Sequence, residues 1–387
     1  MINRELEDNL IKSAKSYPII ALTGPRQSGK TTIIKKIFGN DYKYINLEDL
    51  EMRRFANEDP KSFLEQFSEK VIIDEAQNAP DLFSYIQVIV DEKNKPGQFI
   101  LTGSQNFLLL EKISQSLAGR VSIFHLLPLT ISELKNADYK IDNIEQLLFN
   151  GFYPRIYNQN LEPQEWLANY IQTYIERDVR SLKNIKDLSS FQRFIRMCAA
   201  RCGQLVDLTS LGNDCGISHN TVKEWLNILE ASFIIFLLKP HYKNYNKRLV
   251  KSPKIYFYDT GLLCYLLNIE NPDQLKTHYL RGGIFESFVI SEIIKKKINK
   301  NLQPNVYFWR DQAGHEIDCV LEKSNEIIPI EIKSSKTIND SYFSNLLYWN
   351  KISSSDSKNN IIIYAGKETF KRSQGNIFSW EKIDTIQ

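Results

Sequence analysis

Residues 17–38 read YPIIALTGPRQSGKTTIIKKIF, and the changes of texture inside this stretch decide the fold. An apolar run, Ile19-Ile20-Ala21-Leu22, leads into a turn bracketed by Gly24 and Gly29. An amphipathic run carrying Ile33, Ile34, Ile37 and Phe38 follows. That order predicts strand, phosphate loop, helix. Gly24, Gly29, Lys30 and Thr31 satisfy G-x-x-x-x-G-K-[ST]. In such a loop backbone N–H groups wrap a polyphosphate, the lysine reaches the β/γ-phosphates and the hydroxyl holds Mg²⁺. Glycine is needed where the backbone approaches the ligand or takes positive φ, and a helix opening near Lys30 points its positive end at the anion. The expected nucleotide-binding residues are Gly24, Pro25, Arg26, Gln27, Ser28, Gly29, Lys30, Thr31 and Thr32. A chance match to so short a pattern is the alternative, and the strand and helix patterns flanking it outweigh that reading.

Downstream of the loop, Tyr44-Ile45-Asn46-Leu47 reads as a second strand and Pro60 to Phe67 as a short helix. Lys70-Val71-Ile72-Ile73-Asp74-Glu75-Ala76-Gln77 is an apolar strand that ends in two carboxylates. This is the Walker B pattern: Asp74 is expected to hold Mg²⁺, and Glu75 to polarise the water that attacks the γ-phosphate. Further strands are expected at Gln98 to Thr102 and Val121 to Leu127. In a parallel sheet covered by helices, ligands gather at the carboxyl ends of the strands, where Asp74, Glu75, Thr102 and Ser104 fall. Ser104 or Gln105 is either a γ-phosphate sensor or a helix N-cap. Arg120 is either an arginine finger or a solvated surface charge.

The motifs GPRQSGKT, VIIDEAQ, LTGSQ and SLAGR, in this order, resemble the AAA+ type P-loop ATPases of bacteria and archaea that carry an uncharacterised C-terminal region. The later stretches GFYPRIY, YIERDV, KIYFYDTGLL and EID…EIK extend the resemblance over nearly the whole chain. It implies an α/β protein in four parts: a P-loop ATPase core over 1–128, a helical lid over 129–203, a winged helix over 204–270 and a restriction-endonuclease-like domain over 271–387.

Composition fits a soluble globular protein of several domains, with 387 residues, 42% apolar, 25% charged and a net charge of +3. So small a charge declares no nucleic-acid partner, and any such claim rests on local patches. Five scattered cysteines without a C-x-x-C pair, and an N-terminus without a basic-then-apolar leader, predict a reducing cytoplasm and no structural disulfides. The longest apolar run, Phe233 to Leu238, falls far short of the ~18 residues of a membrane-spanning helix.

In the middle, Trp166, Tyr170, Tyr174 and Ile175, and then Phe191, Phe194, Ile195 and Cys198, recur at helical spacing and read as packing faces. From Leu205 a short helix, a turn at Cys215-Gly216-Ile217 and a second helix capped by Ser218 make a helix-turn-helix, with Val222, Trp225, Leu226 and Leu229 on one apolar face. Asn220, Thr221, Lys223 and Glu224 are left to face bases or phosphates. Lys239 to Lys254 adds six lysines or arginines and no acid. It suits phosphate neutralisation, with intramolecular packing and a solvated basic loop as the alternative.

The last segment opens at Arg281-Gly282-Gly283, expected to break the chain before a helix that sets Glu286 on the same face as Val289, Ile290, Ile293 and Ile294. A carboxylate on a buried stripe is costly unless paired or bound to metal. Two alternating strands follow, and a two-residue hairpin at Ser324-Asn325 would set Asp318 opposite Glu331 with Lys333 on the same face. Two carboxylates with a lysine beside them suit metal-assisted phosphodiester hydrolysis. The set resembles the PD-(D/E)xK nuclease site, which implies Asp318 and Glu331 as metal ligands, Lys333 as the catalytic lysine and Glu286 as the helix acid. Ile317 stands where the eponymous proline would be, and a plain cross-strand salt bridge is the alternative. His315-Glu316 does not continue to a zinc-protease motif, because Cys319 stands where the second histidine belongs.

The expected function is an ATPase, with ATP and Mg²⁺ as cofactors and Glu75, Lys30 and Lys333 as catalytic residues. It would act on or be regulated by nucleic acid, DNA the favoured partner, with nuclease activity and homo-oligomerisation left open. The competing expectation is an ATP-dependent binding switch for DNA or protein whose nuclease-like domain is idle.

Overall fold

A computed structural model describes residues 1–67, 69–103, 113, 116–174, 187–241, 250–323 and 326–386. The described chain forms two compact units. The first comprises Met1–Leu129 with Ala231–Phe233 and Ile298–Leu302, and the second comprises Thr130–Glu230, Ile234–Lys297 and Gln303–Gln387.

The first unit is a parallel sheet of five strands, β1 (Ile19–Thr23), β2 (Lys43–Asn46), β3 (Val71–Asp74), β4 (Phe99–Gly103) and β5 (Val121–His125), in the order β2-β3-β4-β1-β5. Strands buried on both faces lack an outward polar face, and β1, β3 and β4 are buried throughout. Alternation divides them between two cores. Ile19, Ala21, Ile73 and Leu101 face α3 (Leu50–Glu58), α4 (Pro60–Gln66) and α5 (Leu82–Lys93), packing on Phe63, Phe83 and Ile86. Ile20, Leu22, Ile72 and Ile100 face α1 (Glu7–Ala14) and α2 (Lys30–Phe38), packing on Leu6, Leu10, Ile33 and Ile34. All five strands run the same way, so their carboxyl ends form one edge.

The second unit begins with helices. Trp166, Tyr170 and Tyr174 lie on the helix Pro163–Tyr174, and Phe191, Phe194, Ile195 and Cys198 are buried on the helix Leu188–Ala200. Two helices, Leu208–Cys215 and His219–Ala231, then meet at Gly216, which takes the left-handed conformation, and an antiparallel pair follows, β6 (Ile235–Leu238) with β7 (Lys254–Phe257).

The chain ends in a mixed sheet: β8 (Val306–Arg310), β9 (Glu316–Lys323), β10 (Glu326–Lys333), β11 (Ile361–Tyr364), β12 (Phe370–Arg372) and β13 (Gly375–Ser379), ordered β12-β13-β11-β10-β9-β8. Its core packs Trp309, Ile317 and Val320 against Phe343, Leu346 and Trp349. One expectation is corrected here. Arg281-Gly282-Gly283 does not interrupt the chain but opens the helix Arg281–Asn299. A side chain on Gly283 would sit 2.5 Å from the Cys202 carbonyl oxygen, so this glycine serves a close backbone approach rather than a break.

Candidate functional site

At the carboxyl edge of the parallel sheet, Gly24 (φ +147°) and Gly29 (φ +96°) bracket the loop between β1 and α2. A Cβ on Gly24 would lie 2.2 Å from the Leu126 carbonyl oxygen, so neither the conformation nor the space admits another residue. Lys30, buried in the first turn of α2, donates from Nζ to the carbonyls of Gly24 and Pro25, each at 2.9 Å. Pro25 and Ser28 are buried, Arg26 is half-buried and Gln27 and Thr32 are exposed. Among the described residues the buried Ser28 hydroxyl has no hydrogen-bond partner. An orphaned donor inside a loop of this shape fits an anion that would satisfy it.

The Asp74 carboxylate, at the end of β3, is held by three hydroxyls. Thr31 Oγ1 donates to Oδ2 at 2.8 Å, Tyr44 Oη to Oδ2 at 2.7 Å, and Thr102 Oγ1 to Oδ1. Burial, then the hydrogen bond and charge of Asp74, push the Tyr44 hydroxyl well above its ordinary range, so it remains a donor. A threonine hydroxyl against an aspartate is a hard-oxygen donor pair of the kind Mg²⁺ takes. Glu75 follows in the left-handed conformation (φ 56°, ψ 44°), and Gln77 Nε2 donates to its Oε2. A non-glycine residue held there is strained, and strain of that kind persists where a side chain must be aimed.

One expected residue, Arg120, does not join this group, and another is not described. Ser104, with Gln105, lies outside the described residues. Arg120 precedes β5, at the opposite end of the sheet from the loop, about five residues of strand or ~16 Å away. There it makes a bidentate pair with Asp91 of α5, Nε to Oδ1 at 2.5 Å and Nη2 to Oδ2 at 2.8 Å. Within one chain it is a surface ion pair, because the parallel strands carry their two ends to opposite edges.

A second cluster lies in the carboxyl-terminal sheet. The β9–β10 ladder pairs Lys323 with Glu326 and Cys319 with Ile330, the expected register, and the next positions along it are Asp318 and Glu331. Lys333 Nζ sits 3.2 Å from Asp318 Oδ2 and 2.5 Å from Glu331 Oε2, and the Ile332 N–H donates to Asp318 Oδ2 at 2.8 Å. Burial alone would push the Lys333 ammonium down, but the two carboxylates outweigh it and raise it. Burial and then the Asp318 charge push Glu331 well up, and its Oε1 has no hydrogen-bond partner among the described residues.

On the helix Arg281–Asn299, Glu286 accepts from Tyr256 Oη at 2.9 Å, and burial, with the Asp318 charge added, pushes it up to about 7. Lys254 of β7 is buried against Glu316. The structure thus brings Asp318, Glu331 and Lys333 together and sets Glu286 near Asp318. Yet among the described residues no three His, Cys, Asp or Glu side chains gather to hold a metal ion. Asp318 and Glu331 have the oxygen chemistry for a divalent cation, but the Lys333 ammonium bridges them.

In the helix-turn-helix, Ser218 Oγ accepts from the Thr221 N–H at 3.1 Å as the expected N-cap. Val222, Trp225, Leu226 and Leu229 are buried, Asn220, Lys223 and Glu224 are exposed and Thr221 is half-buried. Half of the basic stretch, 242–249, lies outside the described residues.

The uncharacterized protein Rv2008c of Mycobacterium tuberculosis is 32% identical over 340 residues, covering 86% of this chain and 74% of its own. The chain belongs to the family of that protein. The uncharacterized protein MJ1544 of Methanocaldococcus jannaschii is 25% identical over 371 residues, covering 87% of this chain and 79% of its own. Residues 16–135 match the family model described as AAA domain, while 141–273 and 281–383 match domains of unknown function, DUF8612 and DUF4143. Residues 16–135 therefore have the AAA-type P-loop ATPase fold. Among solved structures, the Walker-type ATPase PABY2304 of Pyrococcus abyssi aligns at 14% identity with a TM-score of 0.48, covering 69% of this chain and 96% of that one. Among the described residues no helix is long and apolar enough to cross a membrane.

Sequence reading missed Tyr44, Lys254 and Tyr256 as site residues. Tyr44 was available as a strand residue whose register partner, Ile72, is two places before Asp74. Lys254 and Tyr256 stand two apart in KIYFYDTGLL and so share a strand face, but nothing local says which acids that face meets.

Proposed function

We propose that this protein binds and hydrolyses Mg·ATP in the loop between β1 and α2, and that the carboxyl-terminal unit uses that cycle to act on DNA. The observation that carries the first half is the Thr31–Asp74 hydrogen bond beside Lys30, at the carboxyl edge of the sheet beneath the Gly24–Gly29 loop. Thr31 and Asp74 would hold Mg²⁺, which supplies charge neutralisation along the triphosphate. Lys30 exchanges its two loop carbonyls for phosphate oxygens, and the loop N–H groups and the Ser28 hydroxyl complete the cradle. Glu75, steered by Gln77, orients the attacking water and takes its proton. Alanine at Lys30 removes ATP turnover, read as phosphate release; turnover retained in that variant refutes the site.

Support for DNA as the substrate is the exposed row Asn220, Lys223 and Glu224 on the second helix of the helix-turn-helix, read as a winged helix with β6 and β7. Asp318, Glu331 and Lys333, with Glu286, resemble a nuclease centre. A second reading has its own support: the Lys333 ammonium already bonds to both acids, as in an idle site within a nucleotide-dependent binding switch. The two readings part when linear and supercoiled DNA are incubated with the protein and Mg²⁺ or Mn²⁺, beside Asp318→Ala. Cleavage lost in the variant supports a nuclease. DNA binding without cleavage under either metal supports the switch.

A further inference from the structure

The segment before α1 reaches the nucleotide loop from behind. Arg4 keeps only 7% of its surface exposed, and its guanidinium spans two backbone carbonyls, Nη1 to Ser28 O and Nη2 to Leu127 O, both at 2.7 Å. Ser28 belongs to the loop, and Leu127 to the stretch leaving β5, whose Leu126 carbonyl already crowds Gly24. Through Arg4 and Gly24, both shoulders of the loop rest on the same piece of chain. The segment is itself fixed: the Arg4 N–H donates to Glu7 Oε1 at 2.9 Å, and Lys36 of α2 binds Glu7 at 2.7 Å and Asn3 at 2.8 Å.

We infer that Arg4 is a positioning residue for polyphosphate binding, one that touches no phosphate itself but holds the loop in its anion-accepting form. In a trans peptide the C=O of one residue and the N–H of the next point in opposite directions. Arg4 fastens the Ser28 carbonyl on its own side, so the Gly29 N–H faces away from the arginine, into the loop. Without it the Ser28–Gly29 peptide is free to turn, which would replace a donor with an acceptor where phosphate binds. Gly29, at φ +96°, has no side chain to resist that rotation. The guanidinium also adds a fixed positive charge behind the cradle. A planar fork meets two carbonyls at once and an ammonium does not, so lysine is an incomplete substitute.

The inference rests on the phosphate-loop reading but not on hydrolysis, so the test reads binding and turnover separately. Full-length wild type, Arg4→Ala and Arg4→Lys are titrated calorimetrically with inorganic tripolyphosphate and with Mg·ATP, and KM and kcat are measured. A lost hydrogen bond to a charged group corresponds to roughly a 10- to 100-fold effect. Tripolyphosphate affinity in Arg4→Ala is expected to fall by about that factor, with KM for ATP rising in parallel and kcat changing less than about threefold. Arg4→Lys should fall between, and millimolar guanidinium should restore binding to Arg4→Ala. Wild-type tripolyphosphate affinity in both variants, even alongside a lower melting temperature, overturns the inference and leaves Arg4 a structural strut. A wild type that binds tripolyphosphate without hydrolysing ATP sinks the ATPase reading and leaves the role of Arg4 standing or falling on the titrations. A wild type that binds neither overturns both.

Discussion

Asp74 and the Asp318–Glu331 pair are acids on buried strands, and the chain satisfies them in opposite ways. Three hydroxyls from β2, α2 and β4 hold Asp74, and none of them brings charge. A lysine ammonium holds both Asp318 and Glu331. An acid solvated by dipoles keeps its negative charge available, and an incoming cation adds an ion pair without breaking one. An acid already paired shares its charge with the lysine, so a metal that displaced the lysine would have to offset what the pair contributed. The first site holds its acid without a cation, and the second already contains one of its own.

The largest effect expected of this contrast is on turnover. Lys30→Ala should lower ATP hydrolysis by at least ~100-fold, since that lysine carries a positive charge to the phosphates; residual activity close to wild type would show that the loop does not hold ATP in this way. Next comes Lys333→Met, which strands two buried acids. Thermal unfolding should show a loss of about 2–3 kcal/mol, less than for a fully buried pair because 28% of the Lys333 side chain is exposed. Millimolar Mn²⁺ should restore stability to this variant and not to wild type. A variant indifferent to Mn²⁺ would mean that Asp318 and Glu331 are structural acids.

His125, at the end of β5, is a buried base rather than a buried acid. Burial pushes its imidazole from 6.5 down to about 4, and its Nδ1 lies 2.6 Å from Thr23 Oγ1. The unfolded chain takes up the proton first, so this contribution is complete above pH 6.5 and is lost as pH falls toward 4. It amounts to about 3 kcal/mol. Denaturant melts of wild type and His125→Asn across that window should converge as pH falls, and parallel curves would show that the ring titrates normally. Tyr44→Phe removes one of three donors to Asp74 and should weaken Mg·ATP binding about five- to tenfold by calorimetry. The smallest effect belongs to Arg120→Ala: the pair with Asp91 is exposed, and nucleotide affinity of the isolated chain should not change.

How much of each site could be read in advance follows from how far apart its residues lie in the chain. The phosphate loop is one continuous stretch, and Asp74 announces itself by ending an apolar strand. The β9–β10 register was equally legible, because a short hairpin ties Asp318 to Glu331 through neighbouring residues. The Arg281 helix start was misjudged because a glycine pair signals a break unless another backbone approaches it, and Cys202 is distant in sequence. The strands β8, β12 and β13 were not anticipated at all; the exposed β12 shows no apolar alternation for a sequence to display.

By itself the sequence determined the order strand, loop, helix, the two-faced burial of the parallel strands and the identity of the groups that can bear charge, since these depend on residue type and local period. Which polar groups meet was settled by tertiary contacts alone: Tyr44 with Asp74, Lys254 with Glu316, Tyr256 with Glu286, and Arg120 with Asp91 rather than with the nucleotide loop. Local pattern sets where a side chain points along its own element, but the partner is chosen by how separate elements close around a common core, where bringing an unpaired charge out of water costs more than any local preference returns.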